Sequence, residues 1–401
     1  MVVQSASDAA VPSVGSRQPP LRSLAAALPS AVAAMVVTGL YLIDALVIRP
    51  SRDVPFCAVA GLSRLAHWDA GWYLSIASSG YQRHPGIQQP SAFFPLLPIV
   101  ASIGHILVPP LSITAAGVVI NVVAILAAMV FVDRTVAEWP TWQRVGCVVA
   151  LLVLPGAYFY VTFYSEALFA LTVAMFVWSL RNDKLWLAAA AVAAASLDRT
   201  IGATLVLPLA LVAFREADRR RAVAATAASL TGILGLGLYV VASGKLSLFR
   251  AGRAGWRGAS GLSYPVYLLR HGISGTDHLI AHAALFRQVV DVPSIGRSVV
   301  WGLGLYTDVV VGGVLIVLFW ARRTAAYLLI PAAVLGLATL ITGPAISQER
   351  FTLVLLPLWI GVIALFRQSR AAWVATGLLG AASLAINLHL MGQFASCQWA
   401  G

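Results

Sequence analysis

The sequence is short of charged residues and of cysteine. Only 10% of its 401 residues are charged and 3 are cysteines, whereas 60% are hydrophobic. Soluble domains contain about 25% charged and about 45–50% apolar residues, so a soluble globular fold is excluded. Disordered chains are poor in apolar residues, and a secreted disulfide scaffold needs more cysteine than this chain carries. The composition predicts a multi-spanning membrane protein.

The net charge of +12 indicates orientation in the membrane rather than a nucleic-acid partner. Lys and Arg occur as short clusters between apolar runs, and such clusters mark cytoplasmic loops. Nucleic-acid binding would need a basic, aromatic-bearing soluble surface. The sequence also lacks a Gly-rich phosphate loop and a Gly-x-Ser-x-Gly motif. We therefore expect no nucleic-acid partner and no nucleotide-driven transport.

The apolar runs predict an all-α polytopic membrane protein. Residues 1–23 are polar and predict a flexible cytoplasmic tail, and residues 24–391 predict a single transmembrane domain of about eleven helices, because most runs approach the ~20 residues that cross a bilayer. The runs are Leu24–Ile48, 112–132, 145–161, 164–180, 185–197, 200–213, 223–242, 298–320, 325–342, 351–366 and 371–391.

The further run Phe93–Val108 decides the topology. If it is a proline-broken helix that lies against the outer surface, all the short basic clusters face the cytoplasm, as the positive-inside rule requires. If it crosses the membrane, the later clusters are inverted relative to the first. We adopt the first alternative. Residues 49–111 and 243–297 then form two long outer loops, and residues 392–401 form a short extracytoplasmic tail.

Asp69 has the most informative setting of the acids on the predicted outer face. It lies within residues 64–81, where Trp68 and Trp72 begin an apolar stripe at helical spacing. Such a stripe would anchor a short helix at the bilayer surface and hold the carboxylate at a fixed depth. Two structural interpretations are open, in which Asp69 caps this helix or pairs with Arg64. In the functional alternative the carboxylate is a general base toward a substrate hydroxyl.

Other polar side chains lie at predicted helix ends. Glu166 begins one helix, where the helix dipole also favours an acid. Asp198 and Arg199 interrupt an apolar run, and such breaks tend to line polar cavities. Arg350 suits phosphate because its planar guanidinium binds two oxygens at once, although a snorkelling arginine is the structural alternative. Acids in the predicted cytoplasmic turns, Asp133 among them, are interpreted as solvated charges.

The second outer loop is basic, contains Arg270, and predicts contact with anionic lipid head groups. His278 and His282 are four residues apart and share a helical face, as metal ligands would. The sequence offers no clear third ligand in the usual metalloprotease pattern, so we expect no metal. Cys57 and Cys397 both fall on the outer side, where they can pair or remain free.

Five sets of residues follow one another in an order that is typical of one enzyme family. They are Trp68-Asp69 with Tyr73, Ile76-Ala77 and Gly80-Tyr81; Ala92-Phe93-Phe94-Pro95-Leu96 with Pro98; Tyr164-Ser165-Glu166 with Leu168-Phe169; Arg199-Thr200 with Gly202; and Arg350-Phe351 with Pro357. This order resembles the PIG-V-like mannosyltransferases of the GT-C superfamily, relatives of the enzyme that adds the second mannose of glycosylphosphatidylinositol anchors. The resemblance spans about residues 60–360. The polar residues 88–91 depart from the family pattern, and Asp198 has no assigned counterpart.

The resemblance implies a GT-C-like fold with juxtamembrane helices on the outer face. It also implies mannosyl transfer from a polyprenyl-phosphate donor to a lipid or glycan acceptor, with Asp69 as the catalytic residue. A sugar phosphate carries its own leaving group, so one base suffices and the anomeric carbon is inverted. Arginines can neutralise the phosphate, so neither cofactor nor metal is expected. The predicted substrate-binding residues are His67, Trp68, Tyr73, Phe94, Glu166, Arg199, Arg270 and Arg350.

The composition is rich in Ala, Val and Arg and poor in Lys, which is typical of a GC-rich bacterial genome and predicts a location in the plasma membrane among membrane lipids. Two other functions remain open. A transporter or flippase of a lipid-linked sugar would use similar polar breaks, although no inverted repeat is found. A non-catalytic partner of another transferase would tolerate substitution of Asp69.

Overall fold

The computed structural model describes residues 24–47, 61–86, 88–214, 218–256, 311–316, 318–319, 326–342 and 348–397. All regular secondary structure in these ranges is helical, which confirms the all-α prediction for this part of the chain. Several predictions concern residues outside the described ranges: the tail 1–23, Cys57, Arg270, His278 and His282.

The labelled α-helices follow one another in chain order. They are α1 (Leu28–Val47), α2 (Ala70–Ser79), α3 (Leu96–Leu107), α4 (Ile113–Thr135), α5 (Thr141–Leu152), α6 (Glu166–Arg181), α7 (Leu185–Asp198), α8 (Val206–Ala213), α9 (Arg219–Ser229), α10 (Thr231–Ala242), α11 (Leu246–Trp256), α12 (Ala326–Thr342), α13 (Gln348–Leu353), α14 (Leu356–Phe366) and α15 (Arg370–Ala395). Short 3-10 helices cover Leu24–Ala27, Gly61–Leu65, Pro90–Ala92, Ala157–Val161 and Thr200–Leu205.

Several apolar runs are divided into shorter helices. The run 145–161 forms α5, which ends before Pro155 and Gly156, and then a 3-10 helix, because Pro lacks a backbone donor and Gly156 has a φ of 81°. The run 351–366 forms α13 and α14, with a proline in the first turn of α14. On the described residues, three helices are long and apolar enough to cross a membrane, or four if α9 and α10, which meet at 42°, form one span. This number does not confirm about eleven spans.

The helix surfaces are apolar where a soluble protein would be polar. Exposed leucines and isoleucines lie on α3, α10 and α15, with exposed fractions of 72% for Ile106, 70% for Leu238 and 71% for Leu379. Large exposed apolar areas are rare on soluble monomers and mark contact with lipid or another protein. The surface therefore agrees with a membrane protein.

The interior is built around α4, α6 and α7, which pack against one another in sequence. Small residues on these helices are buried, including Ala124 and Ala128 on α4 and Ala170 and Ala174 on α6. Small side chains let membrane helices approach closely. This core fixes the first residue of α6 and the last residue of α7, which are both acids.

A buried ion pair holds the ends of α4 and α5 together. The Arg144 guanidinium pairs with the Asp133 carboxylate and also donates to the Ala26 carbonyl, at 2.8 Å. Ser30 donates to the same carboxylate at 2.5 Å. Asp133 is fully buried, so its interpretation as a solvated turn charge is wrong. The turn sequence could not reveal this burial because the partners belong to α1 and α5.

The run Phe93–Val108 forms the helix α3, which begins directly after Pro95. Its 12 residues extend about 18 Å at 1.5 Å per residue, which is shorter than the ~30 Å hydrocarbon core. The helix packs on α2 and α4. A helix at this position is confirmed.

Candidate active site

Asp69 lies at the start of α2, directly after a tight turn. Trp68 has a φ of 55°, a left-handed conformation that is uncommon for a bulky residue. The turn reverses the chain between the 3-10 helix Gly61–Leu65 and α2. Helix α2 then buries Tyr73 and Ile76, whereas Trp72 is half-buried and stacks on Phe93 with ring centroids 6.2 Å apart.

The Asp69 carboxylate pairs with Arg350. Its Oδ2 accepts a hydrogen bond from Arg350 Nη1 at 2.9 Å, and it makes no capping bond to α2. Arg64 instead donates to the Leu46 carbonyl at the end of α1, at 3.2 Å. Both structural interpretations of Asp69 are therefore wrong, and the carboxylate is directed toward a residue 281 positions away.

Arg350 joins Asp69 to a second acid. Its Nε donates to Glu166 Oε1 at 3.1 Å, and Arg199 Nη2 donates to the same oxygen at 2.5 Å. Arg199 Nε donates to Ser165 Oγ, which also accepts the Tyr73 hydroxyl proton, both at 3.1 Å. Two carboxylates and two guanidinium groups thus form one continuous cluster, the ion-pair cluster (Asp69, Glu166, Arg199 and Arg350).

The solvent exposure of the side chains decreases along the ion-pair cluster, from Asp69 to Glu166. The Asp69 side chain is 23% exposed, Arg350 is 9% exposed and Glu166 is fully buried. The charges balance within the cluster, which makes its burial tolerable since each ion is paired. A ligand can therefore reach the cluster from the Asp69 and Arg350 end.

Two aromatic rings pack against the Arg350 guanidinium. The Arg350 guanidinium lies over the rings of Tyr164 and Phe159, 4.8 Å and 5.1 Å from their centroids. A cation over an aromatic face is attracted by the ring quadrupole. Tyr160 donates to the Leu353 carbonyl at 2.7 Å, which ties α13 to the same aromatic segment. The position of Arg350 is therefore fixed from two directions.

The loop that precedes α6 is held by α4. Asn121 on α4 donates to the carbonyls of Thr162 and Tyr164 at 2.6 Å and 2.7 Å. Gly117, one turn earlier, lies against the Phe163 ring, where a Cβ atom would clash. These contacts direct the side chains of residues 164–166 toward the cluster. Asn121 was missed by the sequence analysis, although a lone amide within an apolar run is a signal of a polar site.

Tyr73 reaches the cluster from α2. Burial raises the pKa of its phenol above the ordinary value, so the hydroxyl stays protonated and donates to Ser165. This links Tyr73 to Arg199 through Ser165. No role was predicted from the sequence for Ser165, which links Tyr73 and Arg199.

Other predicted site residues lie farther from the cluster. The His67 ring packs against Phe394 at 5.7 Å, and its Nδ1 lies 3.8 Å from Cys397 Sγ. Burial lowers the pKa of His67, so its ring is neutral at pH 7. Phe94 is half-buried, and its neighbour Phe93 makes the ring contact with Tyr73, at 5.1 Å.

Asp198 is buried at the end of α7, next to Arg199 in the chain. Neither of its carboxylate oxygens has a hydrogen-bond partner, and the same is true of Glu166 Oε2.

Among the described residues there is no group of three or more metal-ligating side chains. Cys397 is disulfide-bonded. The pairing of Cys57 and the candidate ligands His278 and His282 lie outside the described residues.

Residues 40–213 match the family described as Mannosyltransferase (PIG-V). The matched segment contains three of the four cluster residues, Asp69, Glu166 and Arg199. This segment is similar to the PIG-V mannosyltransferases. The match bears out the resemblance inferred from the sequence motifs and supports the predicted enzyme class, glycosyltransferase. Arg350 lies beyond the matched residues, so its place in the ion-pair cluster is known from the fold alone.

Solved structures similar to the chain are oligosaccharyltransferases from Archaeoglobus fulgidus. A complex with zinc and sulfate and an apo form are each 13% identical, with a TM-score of 0.47; the matches cover 94% and 92% of this chain and 53% and 56% of theirs. The AglB enzyme with an inhibitory peptide and a dolichol-phosphate is 12% identical, with a TM-score of 0.45, over 94% of this chain and 56% of its own. The chain spans about half the length of the solved structures it matches. No curated protein matches the sequence.

Proposed function

We propose that this protein transfers a mannosyl residue from a polyprenyl-phosphate mannose to a lipid-linked or cell-envelope glycan acceptor. The observation that carries the proposal is the pairing of Asp69 with Arg350 at the exposed end of the ion-pair cluster, at 2.9 Å. One group accepts a proton and its neighbour binds a phosphate, which are the two tasks that transfer from a sugar phosphate requires. The family match supports mannose as the sugar.

Asp69 is the general base of the proposed reaction. The acceptor hydroxyl loses its proton to the Asp69 carboxylate while its oxygen forms a bond to the anomeric carbon. The bond between that carbon and the phosphate oxygen breaks, and the polyprenyl phosphate leaves with the electron pair. Attack from the face opposite the phosphate inverts the anomeric configuration.

Arg350 binds the donor phosphate and releases Asp69. Nη1 of Arg350 donates to Asp69 Oδ2, so this carboxylate oxygen is occupied by the arginine. A donor phosphate that takes over this hydrogen bond frees the carboxylate as it binds. Asp69 is then available to the acceptor hydroxyl once the donor is in place, which favours binding of the donor before the acceptor.

Arg199 and Glu166 hold the inner end of the site. Arg199 is anchored by Glu166 and Ser165 and adds positive potential behind Arg350, where charge develops on the leaving phosphate. Glu166 Oε2 has no hydrogen-bond partner and orients sugar or acceptor hydroxyls. The predicted contacts of Trp68, Tyr73, Phe94, His67 and Arg270 with substrate belong to the same proposal.

The proposed setting is the extracytoplasmic face of the plasma membrane, in a polytopic domain of about eleven spans. A juxtamembrane α3 keeps the short basic clusters on one side of the membrane, as the positive-inside rule requires. The membrane lipids and the polyprenyl donor are then reached from the outer leaflet.

The test is product formation by the purified protein. The protein in detergent is incubated with radiolabelled polyprenyl-phosphate mannose and an extract of membrane glycolipids and glycans. We expect a labelled product with a new mannosidic bond whose anomeric configuration is opposite to that of the donor. Asp69→Asn should lower the rate of its formation by about 10²–10⁴-fold, and Asp183→Asn, in the exposed turn between α6 and α7, should not. Movement of the labelled donor across the membrane of proteoliposomes, without formation of a new mannosidic bond, would indicate a transporter and contradict the proposal.

A further inference from the structure

The Tyr164 hydroxyl bridges the two sides of the turn that presents Asp69. It donates to the His67 carbonyl at 2.9 Å and accepts from the Asp69 backbone N–H at 3.1 Å. A tyrosine hydroxyl has one proton and free lone pairs, so both bonds form at once. The residue between the two bonded groups is Trp68, with its φ of 55°.

The bridged turn is strained. A non-glycine residue in the left-handed region persists only where its surroundings hold it there. The hydroxyl satisfies a backbone donor and a backbone acceptor on either side of Trp68, and an orphaned backbone N–H in a part-buried position is costly. The Tyr164 hydroxyl is therefore placed to hold the conformation that aims the Asp69 side chain.

The ring of the same residue supports the partner of Asp69. The Arg350 guanidinium lies 4.8 Å from the Tyr164 centroid. Tyr164 thus contacts the backbone of the base through its hydroxyl and the phosphate-binding group through its ring face. One side chain sets the distance between the two groups that the proposed reaction uses.

Tyr164 is itself rigid. It is 1% exposed, its carbonyl accepts from Asn121 at 2.7 Å, and its ring is packed edge-on against Tyr73 and Phe394, with centroids 6.4 Å and 5.9 Å apart. A rigid support can transmit the geometry of the α4–α6 core to the loop that carries Asp69. A mobile tyrosine could not.

We infer that Tyr164 is a positioning residue for catalysis, which clamps the His67–Asp69 turn through its hydroxyl and seats Arg350 on its ring. The inference rests on the proposed function. It assigns the hydroxyl to the orientation of the base, and so to turnover, and it assigns the ring to the binding of the donor through Arg350. The two parts of one side chain therefore affect kcat and KM separately.

The test compares Tyr164→Phe with Tyr164→Leu. Tyr164→Phe removes only the clamp, and we expect kcat to fall about 10- to 100-fold with donor KM unchanged, because small misplacements of a catalytic group cost up to about 10²-fold. Tyr164→Leu also removes the ring and should raise donor KM in addition. Tyr41→Phe is the matched control, since Tyr41 is 1% exposed and donates to the Leu152 carbonyl at 2.9 Å, between α1 and α5.

A second measurement does not depend on turnover. Hydrogen–deuterium exchange of the peptide covering residues 66–74 should be faster in Tyr164→Phe than in the parent, and unchanged in Tyr41→Phe. Parental kcat and parental exchange in Tyr164→Phe would overturn the inference, and so would an equal loss of kcat in Tyr41→Phe. If the parent protein transfers no mannose, the proposed function fails, while the exchange measurement still decides whether the clamp exists.

Discussion

At the scale of single residues, the site depends on how a few charges share their partners. Glu166 Oε1 accepts from both Arg199 and Arg350, and Arg350 donates to both acids. Each arginine is therefore already neutralised before a substrate binds. In the proposed reaction an anionic donor competes with Asp69 for Arg350, so this ion pair affects both donor affinity and the availability of Asp69 as the base.

Asp69→Asn separates these two effects. The amide keeps the shape of the side chain but cannot accept the acceptor proton, so transfer should fall by about 10²–10⁴-fold. Because a neutral amide releases Arg350, polyprenyl phosphate without sugar should bind more tightly than to the parent. Initial rates with labelled donor and equilibrium binding of polyprenyl phosphate measure the two quantities.

The same measurements on Asp183→Asn provide the control, since it removes an exposed acid at the other end of α6. Transfer at the parental rate by a folded Asp69→Asn protein would exclude Asp69 as the base. Weaker binding of polyprenyl phosphate would contradict the competition for Arg350.

His67 gives the folded protein a defined pH dependence. Burial lowers the pKa of His67 below its ordinary value, so the unfolded chain binds this proton more strongly than the folded one. The folded state should therefore lose stability as the pH falls below about 6.5, the ordinary pKa of histidine. Thermal unfolding in detergent between pH 8 and pH 5 should show a smaller acid-side decrease for His67→Gln than for the parent. His84→Gln, at an exposed position, should keep the parental slope; an unchanged slope in His67→Gln would contradict this account.

At the scale of elements, short helices and breaks bring the polar groups together. The site lies where elements end or begin: Asp69 precedes α2, Glu166 begins α6, and Arg199 follows α7. A residue at the end of a helix is presented without occupying a lipid-facing position. The proline- and glycine-rich breaks that divide the apolar runs thus serve to expose backbone and side chains inside the bundle.

Gly117→Ala should disturb the site from a distance. The added methyl group would clash with the Phe163 ring, and overpacking of this kind costs about 1–3 kcal/mol. Displacement of Phe163 would move residues 164–166, so transfer should fall together with thermal stability. Gly235→Ala on α10 is the control, because no atom lies within 4 Å of the added Cβ and alanine favours a helix by about 1 kcal/mol. Parental activity in Gly117→Ala would show that α4 does not set the loop geometry.

At the scale of the whole molecule, the ion-pair cluster joins segments from both halves of the chain. The family match ends at residue 213, yet Arg350 supplies the partner of the proposed base. The matched segment therefore does not contain the whole ion-pair cluster. A chain cut after α8 would leave Asp69 without its cation, whereas Glu166 would keep its pair with Arg199.

The predicted topology can be measured directly. The end of α2 should face outward and the turn between α6 and α7 should face the cytoplasm, since Arg181 and Lys184 mark that turn. Ser79→Cys should react with a membrane-impermeant maleimide on intact cells, whereas Asp183→Cys should react only after permeabilisation. The parent protein gives the background from its native cysteines. Protection of Ser79→Cys in intact cells would reverse the topology and contradict an outer-face site.

The sequence predicted most residues of the candidate site but few of the contacts between them. Asp69, Glu166, Arg199 and Arg350 were each singled out from their local setting, and the structure places them in one cluster. The same local reasoning left Asp69 open to pairing with Arg64 and took Asp133 for a solvated charge. It gave no role to Asn121, whose amide bonds to a loop more than 40 positions away.

The amino-acid sequence by itself determined the membrane character, the all-helical structure and the residues that can carry the chemistry, because hydropathy, periodicity and motif order are properties of neighbouring residues. Tertiary structure alone decided which arginine holds Asp69, that Tyr164 clamps the turn before it, and which acids are buried. Ion pairs and buried hydrogen bonds depend on distances between side chains that are far apart in the chain, and those distances exist only after α4, α6 and α7 have packed.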